Sequence, residues 1–211
     1  MKKIFPALFL MVTAISVHAE SVSFDADKPG ALPAGWIAGV TGRGSFKWSV
    51  EADASAPSKP NVLKQSGSGA FPWCIKKDTS IVDGFVEVRF KPISGKEDQA
   101  GGVVWRWKNG DNYYVVRANS LENNVALYYT EKGNRITLKY VDAPVVRNAW
   151  HQLRVDFQGK RIKVLLDGKD YIEYEDEHIT GAGAVGVWTK ADSITAFDDF
   201  FLRRKESEVV G

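Results

Sequence analysis

Cysteine is almost absent from this chain. Of 211 residues only Cys74 is one, so no internal disulfide can staple the fold and an ordinary hydrophobic core must hold it. A nucleophilic role for Cys74 would need a histidine base within reach. Histidine is scarce too: beyond His18 there are only His151 and His178, and with one cysteine they make a poor supply for zinc. Charge of one sign is also missing. The 28 basic residues face 26 acidic ones, and two of the former, Lys2 and Lys3, sit at the extreme N-terminus. With no Lys/Arg block either, nothing draws nucleic acid or an anionic membrane surface, and no nucleic-acid partner is expected. Nor is there an apolar run of the roughly 20 residues that a spanning helix needs. The longest, Ile4 to Val17, follows Lys2-Lys3 and ends in Val17-His18-Ala19, the pattern of a secretory signal peptide with a small-residue cleavage site. The expectation is a leader over 1–19, no membrane span, and a soluble, monomeric, periplasmic or extracellular protein. A single domain over 20–211 fits that length.

What the chain does have is strand punctuation. Segments rich in Val, Ile, Phe, Tyr and Trp alternate with Gly, Asn and Asp clusters. Phe85 to Phe90 alternates cleanly, with Val86, Val88 and Phe90 on the core face. Asn109-Gly110, between Val103 to Trp107 and Tyr113 to Ala118, is a strong hairpin signal. A two-residue loop there sets Arg106 opposite Tyr113, Val104 opposite Val115 and Gly102 opposite Arg117. One face then carries Arg106, Tyr113, Arg117 and Asn119, and the other Val103, Trp105, Tyr114, Val116 and Ala118. A third strand, Asn124 to Thr130, turns Val125, Leu127 and Tyr129 inward and sets Tyr128 beside the arginines. Further hairpins are expected at Lys132-Gly133-Asn134, Gln158-Gly159 and Asp167-Gly168, a loop over Ala26 to Ser45, and a short helix around Asp176 to Ile179. A dozen or so strands of this kind make an all-β, two-sheet antiparallel β-sandwich, a jelly roll in which one sheet can curve into a groove.

The order of motifs is similar to that of a known group. Asp83 to Val88, Ala100-Gly101-Gly102-Val103-Val104-Trp105-Arg106, Tyr113 to Asn119, Ala149-Trp150-His151-Gln152-Leu153 and Leu165-Leu166-Asp167-Gly168 resemble the concanavalin A-like (laminin G-like) jelly rolls of bacterial secreted proteins. Val185 to Ser193 followed by Phe197-Asp198-Asp199-Phe200 resembles the 3-keto-disaccharide hydrolase domain family. The resemblance covers about residues 22 to 202 and implies the jelly-roll fold, a saccharide partner and, in that family, cleavage of a 3-keto-disaccharide or related glycoside. It also implies a structural calcium ion where first and last strands meet, for which Asp25 and Asp198 are the candidates. No cofactor is required.

Glycosidic cleavage by the usual route needs two carboxyl groups flanking the bond. The nearest acidic run, Glu173-Tyr174-Glu175-Asp176-Glu177, lacks the Glu-x-Asp-x-x-Glu spacing of the lectin-like glycosidases and reads as a solvated strand end. Elimination from a 3-keto sugar needs only one base and a cationic group. His151 qualifies by type, but alternation sets it on the core side, and His178 falls in a loop. Sugar binding asks for aromatic faces and planar polar groups. Arg106, Tyr113, Arg117, Asn119 and Tyr128 supply both, and Trp73 is a candidate for the rim. Two alternatives to carbohydrate binding stay open: the hydrolase or lyase, and a structural or protein-interaction module.

Overall fold

Alternating side chains need a partner layer on each buried face, and two sheets meet that need. The computed structural model describes residues 19–205, in which fifteen strands follow one another with no helix among them. They are β1 Ala19–Val22, β2 Trp36–Ser45, β3 Trp48–Ala52, β4 Asn61–Gln65, β5 Ser68–Ile81, β6 Gly84–Ser94, β7 Ala100–Asn109, β8 Asn112–Asn119, β9 Asn124–Glu131, β10 Asn134–Asp142, β11 His151–Gln158, β12 Arg161–Leu166, β13 Lys169–Glu175, β14 Gly183–Trp188 and β15 Ile194–Arg204. An eight-stranded sheet runs β13-β12-β11-β6-β15-β4-β3, with β1 also on β15. A seven-stranded sheet runs β10-β9-β8-β7-β14-β5-β2. All pairings are antiparallel, as expected for the jelly roll.

The inner faces meet in one core. Val86, Val88 and Phe90 of β6, Leu153, Val155 and Phe157 of β11, and Val103, Trp105, Tyr114, Val116, Ala118, Val125 and Leu127 of the facing sheet are buried together. Trp105 stacks on Tyr114 at 5.2 Å and on Phe157 at 6.0 Å. Burying an apolar side chain of this kind contributes roughly 2 kcal/mol or more relative to exposure. Cys74 is buried in the same core, with its thiol pushed far up by burial, so it is an inert packing residue.

The turns show why the register holds. Lys132-Gly133 and Asp167-Gly168 each place two residues at positive φ, 51° and 77° in the first and 51° and 76° in the second. That is the geometry of a type I′ turn, whose twist matches the strands.

Three expectations need correction. The segment from Trp36 to Ser45, expected as loop, is the edge strand β2. Its glycines misled because they serve a bulge: register shifts between Thr41 and Gly44, with Gly42 and Gly44 at φ of 83° and 128°. No helix forms around Asp176 to Ile179, because the Asp176 carboxylate accepts from the Tyr114 hydroxyl and from the backbone N–H of His178. The third concerns Arg106 and bears on the site. The expected leader over 1–19 lies outside the described residues, except that Ala19 begins β1. Among the described residues no helix is long and apolar enough to cross a membrane.

Candidate functional site

The outward face of the seven-stranded sheet should be polar if it only met water, and it is not. Along β8 the outward positions are Tyr113, Val115, Arg117 and Asn119, and β9 adds Asn124, Ala126, Tyr128 and Thr130 in register beside them. Trp188, Ile75, Val104 and Ala184 join Tyr113, Val115, Ala126 and Tyr128 in a second buried cluster, with Ile37, Phe71, Trp73 and Trp107 partly exposed around it. Phe71 stacks on Trp188 at 5.7 Å, and Trp73 meets Trp107 at 5.5 Å. Glycines make the room: a side chain on Gly102 would press on Arg117 and Trp188, and one on Gly39 would strike the Trp73 ring.

Four of the five expected contact residues share this face. Tyr113, Arg117, Asn119 and Tyr128 are together there, all buried or nearly so. Arg117 donates to Glu122 at 2.7 Å, to the Tyr128 hydroxyl at 3.1 Å and to Asn124. Asn119 donates to Asp98 at 2.5 Å, and Lys190 forms an ion pair with the same carboxylate. The Tyr113 hydroxyl lies 2.8 Å from that of Thr41. These side chains therefore form a braced polar floor rather than a free contact surface.

Arg106 is the exception and corrects the expected face. The body of the hairpin pairs as read from the sequence, with Val104 opposite Val115 and Gly102 opposite Arg117. Between Trp105 and Asn109 the register then slips, and the loop becomes Gly110-Asp111, flanked by the paired Asn109 and Asn112. Arg106 sits at φ 48° in this bulge and turns away from the outward face. It is 2% exposed, and its guanidinium donates to the carbonyls of Ile179, Val82 and Gly159, with Asp83 3.5 Å away. Trp107 joins the outward cluster instead.

The bulge left a signal of a kind: Trp105-Arg106-Trp107 puts two tryptophans at one parity of an alternating strand, yet they lie in different clusters. Arg135 was the larger omission. The Lys132-Gly133 turn pairs Arg135 with Thr130, so carrying the register one strand further sets it on the outward face. Its guanidinium lies over Tyr128 at 4.3 Å, Phe71 at 4.6 Å and Trp188 at 5.7 Å.

Electrostatics divide the charged groups into pairs with one remainder. Burial, against the pull of Lys190 and Arg117, holds the Asp98 carboxyl above its usual range. Burial also acts to raise Glu122, but Asn124 and Arg117 outweigh it and hold that carboxyl below the usual range. Burial lowers Arg135 from its ordinary value, which leaves a guanidinium charged at neutral pH.

The remaining candidates sit elsewhere. His151 is buried with both ring nitrogens engaged, Nδ1 by Asp167 at 2.7 Å and Nε2 by the Val146 carbonyl at 2.9 Å, so neither is free to reach a substrate. His178 is held by Asp176 at 2.8 Å and stacks on Tyr129 at 4.1 Å, on the core side of β9. Glu173 and Glu175 lie on the edge strand β13, paired with lysines of the neighbouring chain segments.

Asp25 accepts from the backbone of Asn61, and Asp198 from the backbone and hydroxyl of Ser58. The carbonyls of Phe24, Asp25 and Asp27 are served by the Asn61 amide. Burial pushes Asp198 up to about 6. Among the described residues no group of three or more His, Cys, Asp or Glu side chains is placed to hold a metal.

No protein-family model and no curated protein matches the chain. Solved structures do. The carbohydrate binding module CBM66 from Bacillus subtilis superposes with a TM-score of 0.65 at 18% identity, over 79% of this chain and 93% of that one. The Bacillus licheniformis beta-glucanase gives 0.57 at 14%, over 89% and 98%. A prokaryotic beta-1,3-1,4-glucanase (lichenase) derived from a mouse hindgut metagenome gives 0.58 at 15%, over 88% and 98%. At these identities the likeness shows the fold, a concanavalin A-like jelly roll.

Proposed function

We propose that this is a secreted carbohydrate-binding jelly-roll domain that holds a saccharide on the outward face of its seven-stranded sheet. One observation carries the reading. The Arg135 guanidinium lies against the partly exposed Phe71 and the buried Tyr128 and Trp188, and the partly exposed Trp73 and Trp107 belong to the same outward cluster, above a floor whose own polar groups are braced. Pyranose rings offer apolar C–H faces to such aromatics and hydroxyls to such donors, while a floor already braced needs no rearrangement on binding. The structural neighbours support it, since their names speak of a carbohydrate binding module and of glucanases. Contacts fall to Trp73, Trp107, Phe71 and Arg135, with Tyr113, Arg117, Asn119 and Tyr128 as their support.

A hydrolase or lyase acting on a 3-keto-disaccharide or related glycoside is the second reading. It is favoured by Asp98 and Glu122, whose environments push them in opposite directions, as an acid and a base require. Binding is preferred because both carboxylates are engaged in ion pairs and Asp98 has no exposed surface.

A proton NMR time course with a panel of disaccharides and their 3-keto forms separates the readings. Selective line broadening without new sugar signals is the expected result. New sugar signals would replace the binding reading with the enzyme, and silence across the panel would favour a structural or protein-interaction module.

A further inference from the structure

Resting on the carbohydrate reading, we infer that the saccharide is acidic, and that Arg135 takes the carboxylate of a uronic acid residue against the Phe71, Tyr128 and Trp188 rings.

Charges on the outward face fall into pairs with one remainder. Arg117 is paired with Glu122, and Lys190 with Asp98. Arg135 is the third cation there, and among the described residues it has no acidic partner. Its Nη1 is buried without any hydrogen-bond acceptor. A guanidinium has five N–H donors, and a buried one left unmatched is destabilising. The aromatic rings stabilise its charge through their faces but accept none of its hydrogen bonds in the plane.

Planarity selects the ligand chemistry. With its central carbon 4.3 Å from the centre of the Tyr128 ring and 4.6 Å from that of Phe71, the guanidinium is confined beside them, and the donors along its edge lie in one plane. A carboxylate is the planar, two-oxygen acceptor that meets such an edge with two parallel hydrogen bonds. On a pyranose ring it is carried at C6, beside the C–H face that the partly exposed Trp73, Trp107 and Phe71 are suited to receive. A neutral hydroxyl would meet at most one donor at a time and would leave the charge uncompensated.

Isothermal titration with uronate oligosaccharides built on galacturonate, glucuronate, mannuronate and guluronate tests this, each measured beside its methyl ester and its neutral counterpart. At least one uronate should bind 30-fold or more tighter than its ester. Arg135→Gln should cut that preference to about 3-fold, whatever it does to the affinity for the neutral sugar. Arg135→Lys, which keeps the charge without the fork, should recover only part of it. Thermal melts of both variants report whether the fold is intact. Neutral and acidic sugars bound alike, or a preference that survives Arg135→Gln in a folded protein, overturns the inference while leaving carbohydrate binding in place. No binding by any member of the panel overturns both.

Discussion

Replacing Lys190 with methionine should destabilise the protein by about 3–5 kcal/mol at neutral pH. The reason is Asp98, whose side chain is 0% exposed and whose charge is met by Lys190 alone in an ion pair, with only the Asn119 amide besides. Without Lys190 a buried carboxylate is left uncompensated. Its response to pH follows from the direction of the shift. Burial raises Asp98 above the value it has in the unfolded chain, so the folded state binds the proton more tightly. Its contribution is therefore complete at low pH and lost as pH rises through the folded-state value. Removing Lys190 raises that value further, so the deficit of the variant should shrink as the solution is acidified. Urea unfolding at pH 7 and pH 5 checks this. The double variant Asp98→Asn, Lys190→Met should regain most of the loss. A cost below about 1 kcal/mol at pH 7 would mean that water reaches Asp98 and that the floor is not braced as described.

Arg106→Met should cost about 3 kcal/mol of stability and leave saccharide affinity unchanged. Its guanidinium ties the carbonyls of Gly159 at 2.7 Å, Ile179 at 3.2 Å and Val82 at 3.3 Å, which come from three separate turns and loops. Methionine fills part of the volume but leaves those acceptors unmatched. Lysine should rescue little, because one ammonium cannot reproduce the spread of the guanidinium fork. The pairing of effects is the informative part, since the bulge aims Arg106 away from the outward face. Urea unfolding and sugar titration on the same sample check it. Lost affinity at full stability would return Arg106 to the binding surface.

The fold was legible wherever strands alternate. Val103, Trp105, Tyr114 and Val116 reached the core as their parity required, because a one-residue slip would expose all of them at once. The pairing of Val104 with Val115 was equally readable, being set by hairpin geometry over a short span. The bulge at Arg106 was not, since nothing local asks for positive φ at an arginine. It is fixed from outside, by Gly183 packed against the Arg106 backbone and by carbonyls distant in sequence. β2 was hidden for a related reason: Gly39 answers to the Trp73 ring on the neighbouring strand, a demand that its own segment does not display. Of the candidate site, the buried support could be read, and of the exposed contacts only Trp73 was a candidate. Tyr113, Arg117 and Tyr128 follow from two adjacent hairpins, whereas the Asp98–Lys190 pair joins loops 92 residues apart and depends on the whole topology.

If sugar occupies the outward face of the seven-stranded sheet, the seven tryptophan indole N–H signals of a nitrogen-15 correlation spectrum will report it. Trp73, Trp107 and Trp188 lie on that face, Trp36, Trp48 and Trp105 in the inner core, and Trp150 against the outer side of the other sheet. Titration with the saccharide panel should move the Trp73 and Trp107 signals most, Trp188 less, and leave the other four in place. Seven unmoved signals at saturating sugar, or movement of Trp150 with Trp73 and Trp107 still, would contradict it.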